Sequence, residues 1–413
     1  MSWLYFFGSS RMRRSTAGRA VRRALLSCTA VLIWMASAGA HATAQCEPDW
    51  PLWQQFTRHF VAPDGRVVDA SVPEMHSTSE SQSYGMFFAL VANDRPAFDR
   101  IWKWSVANLM EGDVASRLPA WRWGKRTDGS WGVLDPNAAS DGDLWFAYAL
   151  FEAARLWRAP QYAHEAKTLL DRVRSEEVVN LPGVGSMLLP GPAGFALENQ
   201  VWRLNPSYLP VPLLRGLANG DKLGPWNELA ENTARMLEQV SPRGLVADWV
   251  GYQALSANGG HFVVDPVKGD VGSYDAIRVY LWAGMTHTAD PLAASVMRSV
   301  GGLLPITAAM GAPPESVSTT TGIVKGRGNY GFSAALLPYL QAGGQQAMAE
   351  RLAQQVREQL AQDAVPQPAQ PPSYYSYMLS LFGLGFYEER YRFLSSGALQ
   401  PSWEKTCRRV AIR

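Results

Sequence analysis

Apolar residues recur at helical spacing along most of the chain. In the stretch Ser77–Leu90, the residues Tyr84, Phe87 and Phe88 are followed by Val91, which is the i, i+3, i+4, i+7 spacing of a buried helix face. Comparable patterns predict about twelve helices, at Trp50–Val61, Glu80–Asn93, Phe98–Leu109, Asp141–Trp157, Tyr162–Val179, Leu209–Leu217, Trp226–Val240, Ser273–Met285, Pro291–Leu304, Gly331–Gln341, Gln345–Gln362 and Ser373–Arg390. Short loops join them in pairs, so the pattern predicts an all-α fold built from helical hairpins.

The segments between the helices add little regular structure. Short apolar runs such as Arg66–Val68 and Phe262–Val264 predict small β-hairpins, and they do not alternate with helices as a parallel α/β sheet would require. Residues 180–210 are rich in Gly and Pro and show no helical pattern, and such long irregular segments are often functional. The Pro-rich segment Pro366–Pro372 precedes only one helix and a tail, so residues 45–413 are predicted to form a single domain.

Residues 1–44 are predicted to be a secretory signal peptide. Six arginines without any acid precede an apolar run from Ala24 to about Ala36, and small residues then offer Ala-x-Ala cleavage sites. The apolar run is too short to span a bilayer, and no later stretch is long and apolar enough to do so. Met12 is an alternative start, and the Arg13-Arg14 and Arg22-Arg23 pairs leave a twin-arginine export route open.

Charge and composition limit the classes of function that the protein could have. The 413-residue chain carries 38 Lys and Arg against 36 Asp and Glu, and removal of the arginine-rich leader changes its net charge from +2 to −4. A slightly acidic exported protein is a poor candidate for nucleic-acid binding. The chain also has 16 Trp, more than a core usually needs; their flat rings suit sugar-binding clefts, although a Trp-rich core remains the alternative.

Two cysteines remain after removal of the leader, Cys46 and Cys407, one near each end of the mature chain. In an oxidising compartment they are predicted to form one disulfide that ties the termini together. The alternative is a pair of free thiols.

Three acids lie at predicted helix starts: Glu80, Asp141 and Asp275. In a closed ring of helical hairpins, such starts can line one mouth. Converging carboxylates flanked by Trp and Tyr would suit glycoside hydrolysis, which needs a proton donor, an activator of water and groups that grip the distorted sugar. For each acid, the alternative is a stabilising contact with the helix N-terminus.

Other chemistry is poorly supported by the sequence. Asp141-Gly142-Asp143 resembles part of a cation-binding loop, but the further oxygen ligands of such a loop are missing, so no metal is expected. The sequence has no Gly-x-Ser-x-Gly nucleophile elbow and no His pair at ligand spacing. Its one Gly-x-Gly-x-x-Gly, at residues 326–331, follows no predicted strand, so no cofactor is expected either.

Four segments resemble glycoside hydrolase family 8. Residues 139–157 are similar to the family signature, with Phe146 in place of the usual Ile or Met. Residues 79–86, Ser-Glu-Ser-Gln-Ser-Tyr-Gly-Met, are similar to its acid motif, with Ser81 in place of Gly. Asn205-Pro206-Ser207-Tyr208 and Tyr274-Asp275-Ala276-x-Arg278 match two further segments, and order and spacing fit throughout about residues 46–407. Within the family the likeness is greatest to the periplasmic endoglucanases of bacterial cellulose synthase operons, which residues 185–191 and the cysteine pair support.

The resemblance implies an (α/α)6 barrel with long loops and small β-hairpins at one mouth, in agreement with the twelve predicted helices. It also implies an inverting endo-β-1,4-glucanase that is periplasmic or secreted. Its partners would be β-1,4-glucan chains and, as a further expectation, components of a cellulose synthase complex.

Site roles follow from the same resemblance, motif by motif. Glu80 would be the general acid, Asp275 the general base, and Asp141 would grip the sugar before the scissile bond. Tyr208 would help hold the attacking water, and Arg278 would orient Asp275 and keep it ionised. Trp121, Trp123, Tyr374 and Tyr377 are candidate platforms for sugar stacking, with core packing as the alternative for each.

Two alternatives to this function stay open. A non-catalytic glucan-binding protein of the cellulose export machinery would share the aromatic cleft, although it would have no use for all three acids. A hydrolase of the same fold acting on xylan or chitosan would keep the acids and change the sugar.

Overall fold

A computed structural model describes residues 49–364 and 372–405. The predicted signal peptide, the Cys46–Cys407 disulfide and most of Pro366–Pro372 lie outside the described residues. These expectations, and the single domain over residues 45–413, stay predictions.

Residues 402–405 are helical, and fourteen further α-helices lie wholly within the described residues. They are α1 (Pro51–Phe60), α2 (Ser79–Val91), α3 (Arg95–Leu109), α4 (Ser140–Leu156), α5 (Pro160–Glu176), α6 (Val211–Gly220), α7 (Trp226–Val240), α8 (Ala276–Met285), α9 (Ala293–Ser299), α10 (Leu303–Met310), α11 (Tyr330–Ala335), α12 (Leu337–Ala342), α13 (Gln346–Asp363) and α14 (Tyr374–Tyr387). Successive helices pack as hairpins, α2 with α3, α4 with α5 and α6 with α7, in the manner predicted from the sequence.

Inner and outer helices differ in how much of their surface is buried. All residues of α8 and all but one residue of α2 are buried, so these helices lie inside the ring. The outer helix α5 buries one stripe, Tyr162, Ala166, Leu169, Leu170 and Val173, and its other residues are half-buried or exposed. Six inner helical positions, α2, α4, α6, α8, α11–α12 and α14, contact one another in sequence, and the outer helices cover them. This is the (α/α)6 barrel, and the predicted fold class is confirmed.

An aromatic cluster fills the centre of the barrel and closes the ring. Phe382 on α14 lies 4.6 Å from Phe88 on α2, 5.3 Å from Trp145 on α4 and 5.1 Å from Trp282 on α8, measured between ring centroids. The close approach of α14 to α11 requires glycine at 383, because a Cβ there would lie 1.8 Å from the carbonyl oxygen of Ala334. The last inner helix therefore completes the core that the first one begins.

Small antiparallel sheets occupy segments between the helices and after the last inner helix. The described strands are β1 (Ser77–Thr78), β2 (Arg122–Lys125), β3 (Trp131–Asp135), β4 (Val178–Leu181), β5 (Gly185–Leu188), β6 (Ala196–Leu197), β7 (Val201–Leu204), β8 (Val250–Ser256), β9 (Gly259–Val264), β10 (Val271–Gly272), β11 (Ser316–Ser318), β12 (Val324–Lys325), β13 (Tyr391–Phe393) and β14 (Leu399–Pro401). They pair in the orders β1-β2-β3, β4-β5, β6-β7-β8-β9, β10-β11-β12 and β13-β14. Strand β1 runs directly into α2, and β10 ends shortly before α8.

The structure corrects several predicted boundaries. The helix predicted over Pro291–Leu304 is two helices, because Gly301 and Gly302 interrupt it. The helix predicted to reach Val179 ends at Glu176, and residues 178–181 form β4 instead. Residues 180–210 lack an α-helix, as predicted, but they hold strands and two short 3₁₀ turns.

No single helix in the described ranges is long and apolar enough to cross a bilayer. The bent pair α9 and α10, at 57° to each other, meets the length and composition criteria only when taken together.

Candidate active site

The first of the three acids, Glu80, lies in the first turn of α2. The Thr78 hydroxyl accepts a hydrogen bond from the backbone N–H of Ser81 at 3.1 Å, and the Ser81 hydroxyl accepts one from the backbone N–H of Thr78 at 2.9 Å. This reciprocal capping box fixes the turn that carries Glu80. Ser81, which departs from the family's usual glycine, is therefore a structural part of the helix start.

The Glu80 carboxyl is surrounded by neutral donors and by another acid. Its Oε1 accepts a hydrogen bond from Trp121 Nε1 at 3.1 Å, and its Oε2 accepts one from the Ser79 hydroxyl at 3.2 Å. Burial, together with the charge of Asp141, raises the pKa of Glu80 to about 8, although Arg278 offsets part of the effect. Near neutral pH, this carboxyl is therefore predominantly protonated and able to donate.

Asp141 is buried in the first turn of α4, next to Glu80. The two helix starts approach closely, since a Cβ on Gly142 would lie 2.7 Å from the Ser79 hydroxyl oxygen and 3.0 Å from the backbone nitrogen of Glu80. Asp141 Oδ2 accepts hydrogen bonds from Arg278 Nη1 at 2.8 Å and from the Tyr84 hydroxyl at 3.3 Å. Burial raises the pKa of Asp141, and the Arg278 guanidinium opposes that rise.

Arg278 joins the second acid to the third. While its Nη1 contacts Asp141, its Nη2 donates to Asp275 Oδ1 at 2.7 Å. The guanidinium is buried and also lies 5.6 Å from the ring centroid of Tyr208. The structure thus brings Glu80, Asp141 and Asp275 into one cluster, although 195 residues separate the first acid from the last.

Asp275 immediately precedes α8 and is held by two residues that sequence analysis missed. Trp249 Nε1 donates to Asp275 Oδ2 at 3.1 Å. Asp248 Oδ1 accepts hydrogen bonds from the backbone N–H groups of Ser273, Asp275 and Ala276 at 2.7, 3.1 and 2.8 Å, and so caps α8 from a distant loop. The Asp248-Trp249 dipeptide carries no motif, so its only signal in the sequence was an acid beside a tryptophan.

Tyr208 follows Asn205 in a 3₁₀ turn at the end of β7. The Asn205 side chain caps this turn by accepting from the backbone N–H of Ser207 at 3.0 Å, and Trp282 Nε1 of α8 donates to the carbonyl oxygen of Ser207 at 2.9 Å. Burial and the charges of Asp141, Glu80 and Asp275 together raise the pKa of Tyr208. Its phenol therefore stays protonated beside all three acids and can donate a hydrogen bond.

Tyr84 is a further residue whose role sequence analysis missed. It was assigned only to the buried face of α2, but its hydroxyl accepts a hydrogen bond from Arg278 Nη1 at 3.0 Å and donates to Asp141. Its ring packs edge-on against Phe382 and Trp145, at 5.2 and 5.7 Å. The aromatic cluster at the centre of the barrel is thus the floor of the site.

Two of the four predicted stacking platforms, Trp121 and Trp123, lie immediately before β2 and within it. Trp121 is half-buried and contacts Glu80 directly. Trp123 stacks on Trp131 with centroids 5.6 Å apart and an angle of 24°, and the Arg66 guanidinium lies 4.5 Å from its centroid. Trp131, which sequence analysis did not single out, is 43% exposed and offers more ring surface than Trp123.

The other two predicted platforms are wrong. Tyr377 is fully buried and packs against Phe60 at 5.2 Å, so it has no ring face to offer a sugar. Tyr374 is 9% exposed and packs edge-on against Phe60 at 5.6 Å. Both rings belong to the contact between α14 and α1. Burial raises the pKa of Tyr374, and the nearby Glu80 carboxyl raises it further.

Within the described ranges, no group of three or more His, Cys, Asp or Glu side chains is arranged to hold a metal ion. What the cluster offers instead is a protonated carboxyl on one side, a carboxylate paired with a guanidinium on the other, and a buried acid and a phenol between them. Such a set can deliver a proton at one atom and remove a proton at another.

Comparisons with known proteins show the family to which the chain belongs. Residues 25–389 match the model of glycosyl hydrolases family 8. The chain is 49% identical over 369 residues to an endoglucanase of Pseudomonas fluorescens (strain SBW25), covering 87% of this chain and 92% of that protein. It is 44% identical over 365 residues to an endoglucanase of Escherichia coli (strain K12), covering 88% and 94%.

A solved structure also has the same fold. The endo-1,4-D-glucanase of Vibrio fischeri ES114 is 38% identical and superimposes with a TM-score of 0.79, covering 86% of this chain and 99% of that one. With the family match extending over most of the sequence, the chain belongs to family 8 of the glycosyl hydrolases.

Proposed function

We propose that the protein is an inverting endo-β-1,4-glucanase in which Glu80 is the general acid and Asp275 the general base. The observation that carries the proposal is the contrast between two carboxyls of one cluster. Glu80 has a pKa of about 8 beside Asp141, whereas Asp275 is paired with Arg278. An inverting hydrolase needs this division, because one carboxyl must give a proton to the leaving oxygen while the other takes one from water.

The remaining groups have roles that suit the same reaction. Asp141, fixed by Arg278 and Tyr84, would accept hydrogen bonds from sugar hydroxyls next to the scissile bond. Tyr208, whose phenol stays protonated, would donate to the attacking water near Asp275. Inversion calls for a separation of ~6.5–9.5 Å between the acid and base carboxyls, so that a water fits between base and sugar.

The substrate part of the proposal is supported by the relatives. The proteins from P. fluorescens and E. coli are named endoglucanases, and the V. fischeri structure is named an endo-1,4-D-glucanase. A non-catalytic glucan-binding protein would gain nothing from a buried acid whose pKa is raised, and this argues against that alternative. Xylan and chitosan are the competing substrates, and a reducing-sugar assay can compare turnover on them with turnover on a cellulose derivative.

The cellular setting rests on the sequence alone. The leader over residues 1–44 supports export to the periplasm or beyond. The likeness of residues 185–191 to endoglucanases of cellulose synthase operons supports a function in cellulose biosynthesis, on glucan chains that a synthase complex delivers. A domain over residues 45–413 would then be the mature enzyme.

The test is the anomeric form of the first product released from cello-oligosaccharides, followed by NMR. The proposal expects the α-anomer first, because water attacks the face opposite the leaving group. Release of the β-anomer first would show a retaining enzyme and overturn the assignment of Asp275 as a base. Reducing-sugar assays on carboxymethylcellulose, xylan and chitosan, run in parallel, check the substrate; higher turnover on xylan or chitosan than on the cellulose derivative would overturn it.

A further inference from the structure

Two carboxyl side chains are completely buried behind the proposed catalytic cluster. Asp143 lies in the first turn of α4, two residues after Asp141, and Glu177 follows the last residue of α5. Both have an exposed fraction of 0%. Nothing in the reaction described above uses either group, yet burying two acids side by side is costly unless they are compensated.

The compensation comes from the pair itself. The carboxyls of Asp143 and Glu177 lie against each other, and among the described residues no N–H or O–H group donates to any of their four oxygens. Two ionised carboxylates in contact would have no proton with which to form a hydrogen bond. The contact therefore requires at least one proton, held by one of the two carboxyls or shared between them.

Surrounding charges reinforce the need for that proton. Asp143 faces Asp141 and Glu80 in addition to Glu177, and Glu177 faces Glu176 and Asp141. No basic side chain donates to either member of the pair within the described ranges. Burial and these negative neighbours raise the pKa of both carboxyls well above the usual range.

The pair lies at a junction of three segments. The contact between its two carboxyls joins the start of α4 to the end of α5. The segment after β5 is attached to the same place: Leu189 donates its backbone N–H to the carbonyl oxygen of Glu177 at 2.9 Å, and the carbonyl oxygen of Pro190 accepts the backbone N–H of Ser140 at 3.0 Å. Because Asp141 lies between Ser140 and Asp143, this junction holds the backbone that carries the Asp141 side chain.

We propose that Asp143 and Glu177 form a proton-holding positioning pair, which fixes the first turn of α4, and with it Asp141, only while at least one of the two carboxyls is protonated. The proposal rests on the function assigned to Asp141 above, namely the grip on the sugar. Ionisation of both members would place two unpaired charges in the interior and separate α4 from α5.

The variants Asp143→Asn and Asp143→Ala test the positioning function. Asparagine has the shape of aspartic acid and can donate its amide N–H to Glu177, so it replaces the protonated partner, whereas alanine removes the link. We expect the alanine variant to lose about tenfold in kcat/KM on carboxymethylcellulose, chiefly through a higher KM, and the asparagine variant to stay within about threefold of the unmodified enzyme. Equal losses in the two variants, or no loss in either, would overturn the proposal.

Proton holding is tested by stability, in a Glu80→Gln background that removes the titration of Glu80. A pair whose pKa is raised on folding contributes stability that is complete below the ordinary carboxyl pKa and is lost as the pH rises through the folded value. The Tm of the background protein should therefore fall as the pH is raised into the alkaline range, and Asp143→Asn with Glu177→Gln should flatten that fall. The variant Glu350→Gln, on the exposed face of α13, should leave it unchanged.

Infrared spectroscopy gives a direct readout that does not depend on activity. The background protein at neutral pH should show a protonated-carboxyl stretching band that the Asp143→Asn, Glu177→Gln double variant lacks. If the band and the slope of Tm against pH are the same in both proteins, the pair does not hold a proton and the proposal fails. Normal turnover by Glu80→Gln would contradict the proposed function instead. The infrared and Tm results would still decide whether the pair holds a proton.

Discussion

Glu80 and Asp275 lie at the starts of two inner helices, and each accepts a hydrogen bond from a tryptophan indole at 3.1 Å. Their other partners differ. Glu80 receives a neutral hydroxyl and lies beside another acid, whereas Asp275 receives a guanidinium N–H at 2.7 Å. A neighbouring cation favours the charged form of a carboxyl, and burial beside an acid favours the neutral form. If the proposed function holds, the surroundings of these two similar helix starts are what assign them opposite proton transfers.

The strongest test of this contrast removes each carboxyl in turn. Glu80→Gln and Asp275→Asn should each lower kcat on carboxymethylcellulose by ~10²–10⁴-fold, because each removes one proton transfer. On an aryl cellobioside with a leaving group that needs no protonation, Glu80→Gln should recover much of its rate, whereas Asp275→Asn should not. Recovery by the asparagine variant would reverse the two assignments. Glu350→Gln serves as the surface control.

Arg278 contacts both Asp141 and Asp275, so its removal should affect both activity and stability. Arg278→Gln should lower kcat/KM by about 10²-fold, since the acids lose their shared anchor. It should also lower the free energy of unfolding by about 3 kcal/mol, because Asp141 is left buried without its cation. Arg215→Gln breaks the Arg215–Asp290 pair, which is also partly buried; Asp290 lies beyond the last residue of α8, whereas Asp275 precedes the first. That control should lower stability while the folded enzyme keeps its activity; an equal loss of activity would contradict a special function for Arg278.

A pH profile tests the acid side alone. Because the pKa of Glu80 is about 8, kcat/KM should decline about tenfold per pH unit above that value, as the acid loses its proton. The same shift makes the stability of the protein depend on pH. The folded value lies above the ordinary 4.5, so the stabilising contribution is complete below about pH 4.5 and is lost as the pH rises through about 8. Activity that stays level to well above pH 8 would contradict the proposed environment of Glu80.

The smallest expected effect distinguishes the two indoles. Trp121→Phe and Trp249→Phe each remove one N–H donor and keep an aromatic ring. Trp249→Phe should lower kcat by about tenfold, since a hydrogen bond to a charged group is worth roughly 1.5 kcal/mol or more. Trp121→Phe should cost less, because its partner is protonated and the bond is weaker. Steady-state kinetics at one pH near neutrality is sufficient, and the opposite order of losses would count against the charge difference.

Local patterns in the sequence predicted the helices and the three acids well. Apolar spacing depends on contacts within one helix, so the bounds of α7 were obtained to the residue. Glu80, Asp141 and Asp275 were found because helix starts and family motifs are local features. The structure brings these three together, while their individual roles stay predictions.

Features that depend on distant segments were not predictable in the same way. Asp248 matters because it caps backbone groups 25 to 28 residues later, and Glu177 because it meets Asp143 in a neighbouring helix. No spacing rule contains these distances. The error on Tyr377 has the same origin, since its sequence shows an aromatic residue near the mouth but not the α1 side chains that cover it.

The position of Phe382 has a consequence for the growing chain. This ring belongs to the final inner helix, yet it touches the rings that support the catalytic cluster from α2, α4 and α8. A nascent polypeptide that ends before residue 374 therefore has no completed floor beneath its acids. The proposed hydrolytic activity should therefore be acquired late in synthesis, in a single step, when α14 has been made and packs into the barrel.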